Sequence, residues 1–429
     1  MVRKFLDIRP SNLTANGIVS YKSGQPIVRF EISEQDAFLM GSSVRICGEL
    51  SVTRNGVDPV ADTDDLEIDS RSGIFGMVDT VTITSIKTKQ TIETIRHYNR
   101  MMASYLPIAS SNEDLIGHLS QTALTLPADE ASRQGVVRQF KTNGNEFCVY
   151  LPTGLLQNGS PIPLSSDTIG GISIEISLAP PSSFLFVSSA SGAVAKGLSN
   201  ADYSLKNLKL VCEVEDMTPE NKVQSKVNAF EYMSLASYYS TINSTNAILN
   251  YSLGMSRVRS VFMNFIRSSY LNNLDQNSLQ TIMPIRATGA VADVNQVVFT
   301  KGGARYPDSF NWDTNHKKDP NVSVVDPQIS RNFMNSITPY SNITRTQISP
   351  VNTNRAWSVN DNEVLQGGLV WGVGVAYDTL GSDGADFSTQ NWGLQMDVEL
   401  TDDSPVSAFV FVHAKNTLLF NGGGIQVVS

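Results

Sequence analysis

Cysteine is scarce in this chain: of 429 residues only Cys47, Cys148 and Cys212 carry a thiol, and no two share a Cys-x-x-Cys spacing. An odd, scattered set excludes a disulfide framework and predicts free, mostly buried thiols made in a reducing compartment. Histidine is nearly as rare. His97, His118, His316 and His413 stand in separate segments, with no His-x-His, His-x-x-x-His or cysteine pairing. Each is expected in a polar loop or as a satisfied core residue, and none is assigned a metal or a catalytic role. There is no Gly-x-Ser-x-Gly elbow ahead of an acid and a histidine, which removes the hydrolase triad.

Charge is also thin, at 17% of residues, with a net value of −9. The only basic cluster at the start is Arg3-Lys4. An acidic chain without a Lys/Arg block is a poor neutraliser of phosphates, so no direct, sequence-specific contact with nucleic acid is expected. No apolar run approaches the ~18 residues of a membrane-spanning helix, and no basic n-region with an apolar h-region opens the chain. The expectation is a protein that neither spans a membrane nor is exported by a signal peptide. The Asn-x-Ser/Thr sequons at Asn12, Asn158, Asn243, Asn250, Asn321 and Asn342 are then chance features of a sequence rich in those residues.

What fills the chain is apolar and uncharged polar residues, the former at 41%. Interface centres are depleted in charge, so this composition points to a surface buried against neighbours. The length exceeds the ~250–300 residues at which a single core stops growing, and two domains follow. The pattern is period two almost throughout. In Ile27–Ile32, Val28, Phe30 and Ile32 face one way while Ile27, Arg29 and Glu31 face the other. Residues 43–50, 79–84, 147–151, 172–178 and 208–214 repeat the signature in the first half. Residues 247–253, 258–265, 368–375, 394–400, 407–413 and 425–428 repeat it in the second. Asn16-Gly17, Asn55-Gly56, Asn143-Gly144, Asn158-Gly159 and Pro180-Pro181 supply turns between them.

Helix is confined to two stretches. Ile95, Tyr98, Met101, Met102 and Tyr105 recur at helical spacing within 93–105, and Thr218-Pro219-Glu220 opens a capped helix running to Tyr232. The second lies near the midpoint and reads as the connector. The predicted architecture is all-β: tandem jelly-roll β-sandwiches over 1–217 and 233–429, joined by 218–232, with a few short helices in connections. The long polar stretch 307–354 is expected to meet neighbouring subunits or the outside.

Candidate chemistry is sparse. The acidic run Asp58, Asp62, Asp64, Asp65, Glu67 and Asp69 offers hard oxygen ligands for Ca²⁺. An EF-hand register from Asp62, however, places Glu67 where glycine is needed and Gly73 where a bidentate glutamate is needed, so a solvated loop is expected. Gly367-Gly368, Gly372, Gly374 and Gly422-Gly423-Gly424 lack the lysine and helix of a phosphate loop and read as bulges or close strand approaches. Tyr238, Tyr239, Trp312, Trp357, Trp371 and Trp392 could stack on a sugar, but core or inter-subunit packing is the favoured reading. No catalytic, cofactor-binding or metal residue is assigned.

Four stretches in order give the chain a family resemblance. They are Gly24–Phe30; Gly73–Ile83 running on through Ile92-Glu93-Thr94-Ile95 to Tyr98-Asn99; Leu151–Leu156 with Ile162-Pro163-Leu164 and Ile172–Ile176; and Gly374–Asp378 with Gly384–Phe387. Together they resemble the double jelly-roll major capsid proteins of polinton-like viruses, virophages and other tailless icosahedral double-stranded DNA viruses. In that family the glutamate–x–isoleucine … tyrosine–asparagine pattern leads from a strand into a helix. The resemblance implies a non-enzymatic virion protein assembled inside the host cell. Its homotrimers would form pseudo-hexagonal capsomers in an icosahedral shell, beside penton and minor capsid proteins and, as in several relatives, an internal membrane. The alternative is a tandem β-sandwich adhesin or carbohydrate-binding spike or fibre component. A glycoside-active enzyme on a jelly roll ranks third and needs two facing carboxylates in a cleft.

Overall fold

The computed structural model describes residues 3–12, 18–20, 26–54, 66–69, 72–109, 119, 122–125, 145–187, 201–218, 229–274, 278–279, 294–305, 312–313, 335–337, 358–359, 363–364, 372–377, 384–388, 394–400, 403–421 and 424–429. In the first half the main strands are β1 (Arg3–Ile8), β2 (Ile27–Ile32), β3 (Ala37–Arg54), β4 (Val78–Ser85), β5 (Thr91–Ile95), β6 (Asn145–Tyr150), β7 (Ile172–Leu178) and β8 (Ala201–Asp216). One sheet runs β1-β8-β3-β6 and the facing sheet β2-β7-β4-β5, with every pairing antiparallel. This order is a pair of Greek keys folded over each other, the jelly roll.

The second half repeats it. Its strands are β9 (Ala229–Ile242), β10 (Asn246–Tyr251), β11 (Val258–Arg267), β12 (Val294–Lys301), β13 (Trp312–Asp313), β14 (Val373–Ala376), β15 (Leu394–Leu400) and β16 (Val406–Asn421). The sheets are β9-β16-β11-β14 and β10-β15-β12, with β13 on β12. First, eighth, third and sixth strands thus share one sheet in both halves. A last strand, β17 (Gly424–Val428), pairs with the end of β16. Among the described residues, every sheet draws its strands from one half of the chain only.

The alternation read from the sequence is the alternation of burial. In β2 exposed and buried residues alternate without a break, and β15 repeats the rule with Leu394, Met396, Val398 and Leu400 inward. Side chains of successive strand residues point to opposite faces, so period-two hydrophobicity fixes which face enters the core. The buried apolar residues of both halves form one continuous cluster.

Two expectations about helix are corrected. Thr91–Ile95 is strand, not the start of a helix, because Thr94 and Glu93 pair with Thr82 and Ile83 of β4. The helix α1 (Tyr98–Ala109) begins only after His97, whose φ of 54° breaks the extended run. Over residues 98–106 it is buried all round: Tyr98, Met101, Met102, Ala103, Tyr105 and Leu106 are each no more than 2% exposed. Such a helix must be walled in on every side. The connector helix predicted for Pro219–Tyr232 also fails at its end. Residues 229–232 open β9, where Ala229–Tyr232 pair with Asn416–Leu419, and the cross-strand pairing outweighs local helix propensity. Residues 219–228 lie outside the described residues.

Candidate functional site

Among the described residues, the seam between the two sandwiches is crossed by a cluster of buried polar contacts. Strand β5 and helix α1 of the first half meet β9, β11 and β16 of the second. At the centre is Glu93, 4% exposed. Its Oε1 accepts the backbone N–H groups of Gly154 (3.1 Å) and Leu235 (3.2 Å), and its Oε2 that of Leu155 (3.0 Å). The Thr153 hydroxyl adds a fourth donor. A carboxylate has about four acceptor positions, and here all are used, three donors coming from a turn of the first half and one from a strand of the second. Burial pushes its pKa up to about 7 against the opposing pull of these donors.

Further bonds cross the same seam. The Tyr232 hydroxyl donates to the Ile92 carbonyl at 2.8 Å, and the Arg96 N–H donates to Ser237 Oγ at 3.0 Å. Asn264 Nδ2 donates to the Arg100 carbonyl (3.0 Å) and to Ser104 Oγ (2.7 Å), tying β11 to the middle of α1. The His97 ring rests on Phe409 (5.0 Å between centroids) and Tyr239 (5.8 Å), and the Arg100 guanidinium covers Phe409 at 5.4 Å. Interdomain contacts in one chain are usually wet and mobile. This one is buried and polar, and Glu93 is bonded from both halves, which couples the two sandwiches. At one end the seam opens into a groove of about 890 Å³ walled by Phe38, Pro161, Phe230, Met233 and Phe420, with Lys415 at its rim paired to Glu231 at 2.9 Å.

The residues weighed in the sequence scatter. His97 is in the seam, while His413 is buried in the second sandwich. There it is hydrogen-bonded to Ser260, whose hydroxyl donates to the Ser336 carbonyl at 2.6 Å. Tyr238 and Tyr239 point to opposite faces of β9. Tyr238 packs on Tyr251, and Tyr239 packs on His97 and Phe409, so they form no common platform. Asp69 is buried and accepts the Ser72 N–H at 3.0 Å, holding the turn before Gly73. Gly374 is a close approach: a Cβ there would meet Ser336 of the neighbouring segment. Asp58, Asp62, Asp64, Asp65, His118, His316, Trp357, Trp371, Trp392, Gly367, Gly368, Gly422 and Gly423 lie outside the described residues, and of 307–354 only the short pieces 312–313 and 335–337 lie within them. Among the described residues no group of three or more His, Cys, Asp or Glu side chains could hold a metal ion.

His413 makes one pH effect measurable. Burial holds its pKa well below 6.5, so the folded chain keeps it neutral while the unfolded chain takes up a proton below about 6.5. Its contribution to stability is therefore full above that pH and is lost on acidification. His413→Phe should shrink the stability difference between pH 7 and pH 5, read from denaturant midpoints at the two pH values. An unchanged difference would contradict a neutral, buried His413.

No family model matches this sequence, and no curated protein matches it. Solved structures do. The Faustovirus major capsid protein superposes with a TM-score of 0.60 at 9% identity, covering 98% of this chain and 90% of that one. A chain of the PBCV-1 virus capsid gives 0.59 at 9% identity over 100% and 96%. A chain of the Sputnik virophage gives 0.57 at 11% identity over 99% and 88%. At these identities the likeness is one of fold, and it spans both sandwiches: the chain is an all-β double jelly roll.

Proposed function

We propose that this chain is a major capsid protein, a shell subunit that works by packing against copies of itself and not by catalysis. The observation that supports the reading is the end-to-end match of both jelly rolls to the Faustovirus major capsid protein. A shared single sandwich would be a common scaffold; two in tandem over nearly the whole length of both chains is a far narrower likeness. The seam supplies a property that suits a tile, buried hydrogen bonds that couple the two sandwiches. The division into units is proposed at 1–217 and from Ala229 onward, with 218–228 as the link.

In this reading three chains associate into a pseudo-hexagonal capsomer, six jelly rolls around one axis, and capsomers tile an icosahedral shell. Penton and minor capsid proteins occupy the positions that a pseudo-hexagonal tile cannot fill. The protein acts in the virion and is assembled inside the host cell. Its net charge of −9 argues against a genome-condensing role for the chain itself.

The test is mass in solution. Size-exclusion chromatography with light scattering should give three times the chain mass of 46.7 kDa. Electron microscopy of purified particles should show hexagonal capsomers. A strict monomer that binds glycans on an array would overturn the reading in favour of an adhesin.

A further inference from the structure

Two of the three cysteines, far apart in sequence, are brought face to face by the first jelly roll. Cys47 of β3 is directly opposite Cys148 of β6 in an unbroken antiparallel register, and their Sγ atoms lie 2.6 Å apart. Directly opposed residues of an antiparallel pair have Cα atoms ~4.5–5.5 Å apart, inside the ~4.4–6.8 Å span a disulfide bridges, and the sulfurs need close only to ~2.05 Å. Both side chains are half-buried, on the outer face of their sheet: Val44, Ile46, Phe147 and Val149 alternate with them and are buried. Cys212 belongs to the opposite face of β8, 1% exposed, and cannot compete. Facing Cys47 from β8 is Lys209, and Arg45 flanks it on its own strand.

We propose that Cys47 and Cys148 are a modification site at which a cross-strand disulfide forms when the protein meets a small-molecule disulfide oxidant. One cysteine thiolate attacks a sulfur of oxidised glutathione. The glutathione S–S bond breaks, one glutathione thiolate leaves, and it takes up the proton that the cysteine lost. The facing thiolate then attacks the mixed disulfide, the protein S–S bond forms, and a second glutathione leaves with the second proton. Two protein thiols are oxidised by two electrons, and one oxidised glutathione is reduced to two thiols. Burial, with the neighbouring Cys148, pushes the Cys47 thiol up to about 12, so the exchange is slow at neutral pH and quickens as the pH is raised.

The bond would have a structural consequence. The segment between the two cysteines contains β5 and α1, the two elements that the first half brings to the seam. Closing a loop of about 100 residues restricts the unfolded chain more than a short loop does.

The full chain, incubated with oxidised glutathione, should fall from three free thiols to one when titrated in denaturant. A non-reducing peptide map should link the Cys47 and Cys148 peptides. The thermal midpoint should rise by about 5–10 °C and return on reduction. Cys47→Ser or Cys148→Ser should abolish the rise, and Cys212→Ser should keep it. If a serine variant does not fold, the map of the unsubstituted chain decides alone. Persistence of three thiols, a lasting glutathione adduct, or any other pairing in that map overturns the proposal. The outcome does not depend on oligomeric state, so it stands or falls separately from the capsid reading.

Discussion

Glu93→Ala should destabilise the chain by roughly 3–6 kcal/mol and give two unfolding transitions where the unsubstituted chain should give one. The magnitude follows from what the carboxylate leaves behind. The N–H groups of Gly154, Leu155 and Leu235 are buried against it, and each buried donor left without a partner costs about 1–3 kcal/mol. A loss of that size is a large part of a typical domain's stability of ~5–15 kcal/mol. The splitting follows from where those donors lie. Leu235 belongs to the second sandwich and the other two to the first, so removing the common acceptor uncouples units that otherwise unfold together. Glu93→Gln should fall between, near 2 kcal/mol, because its amide nitrogen presents donors to donors while its oxygen still accepts. Differential scanning calorimetry separates these outcomes. A Glu93→Ala chain that melts in one transition at the unsubstituted midpoint would remove Glu93 from its role in the seam.

The same residue sets a pH dependence of opposite sign to that of His413. The folded pKa of Glu93 is raised to about 7 from an ordinary 4.5, chiefly by burial. The stability tied to its protonation is therefore full below about 4.5 and is lost as pH rises through about 7. Glu93→Gln should abolish that decline. The two buried groups thus pull against each other in mildly acidic solution, and only the paired variants separate them.

The framework of sandwiches was readable because burial in a sheet is written residue by residue. Residues 172–178 and 394–400 are strands over the limits their alternation implies. The seam was not readable, for a physical reason. Glu93 sits in Thr-Ile-Glu-Thr-Ile, a pattern equally suited to a solvated strand face, and its principal partners are backbone N–H groups that have no side-chain identity to recognise. The family resemblance set a strand ahead of Glu93 and a helix after it; Glu93 is itself within β5, and Tyr98 and Asn99 open α1, while helical spacing alone carried the helix too far back through Glu93. The facing of Cys47 and Cys148 was hidden in the same way. A strand register joins residues 101 apart, and only the pairing of β3 with β6 reveals it. The end of the predicted connector failed because Phe230 and Tyr232 pair with β16, a contact set by the far end of the chain.

Gly154→Ala should be as damaging as the loss of Glu93, although it adds one methyl group. A Cβ at Gly154 would stand against the Met233 carbonyl, 2.6 Å from its carbon, and 2.8 Å from Glu93 Oε1. Two of these atoms are backbone of β9, which is held by its full-length pairing with β16 and cannot give way as a flexible side chain would. The Thr153–Leu156 turn must instead lift from the seam, taking the Gly154 and Leu155 donors away from Glu93. A cost above ~4 kcal/mol belongs to this kind of backbone collision and not to ordinary surface change. Gly159→Ala, five residues along the same turn region, is the control. Nothing lies within 4 Å of its Cβ position, so the change should stay within ~0.5 kcal/mol. Because both lesions break the same contacts, Gly154→Ala and Glu93→Ala should be strongly sub-additive in combination. Denaturant midpoints of the four chains measure the coupling. Equal stability of Gly154→Ala and Gly159→Ala would show that the turn does not press on β9, and full additivity would show that the glycine and the carboxylate do not serve one seam.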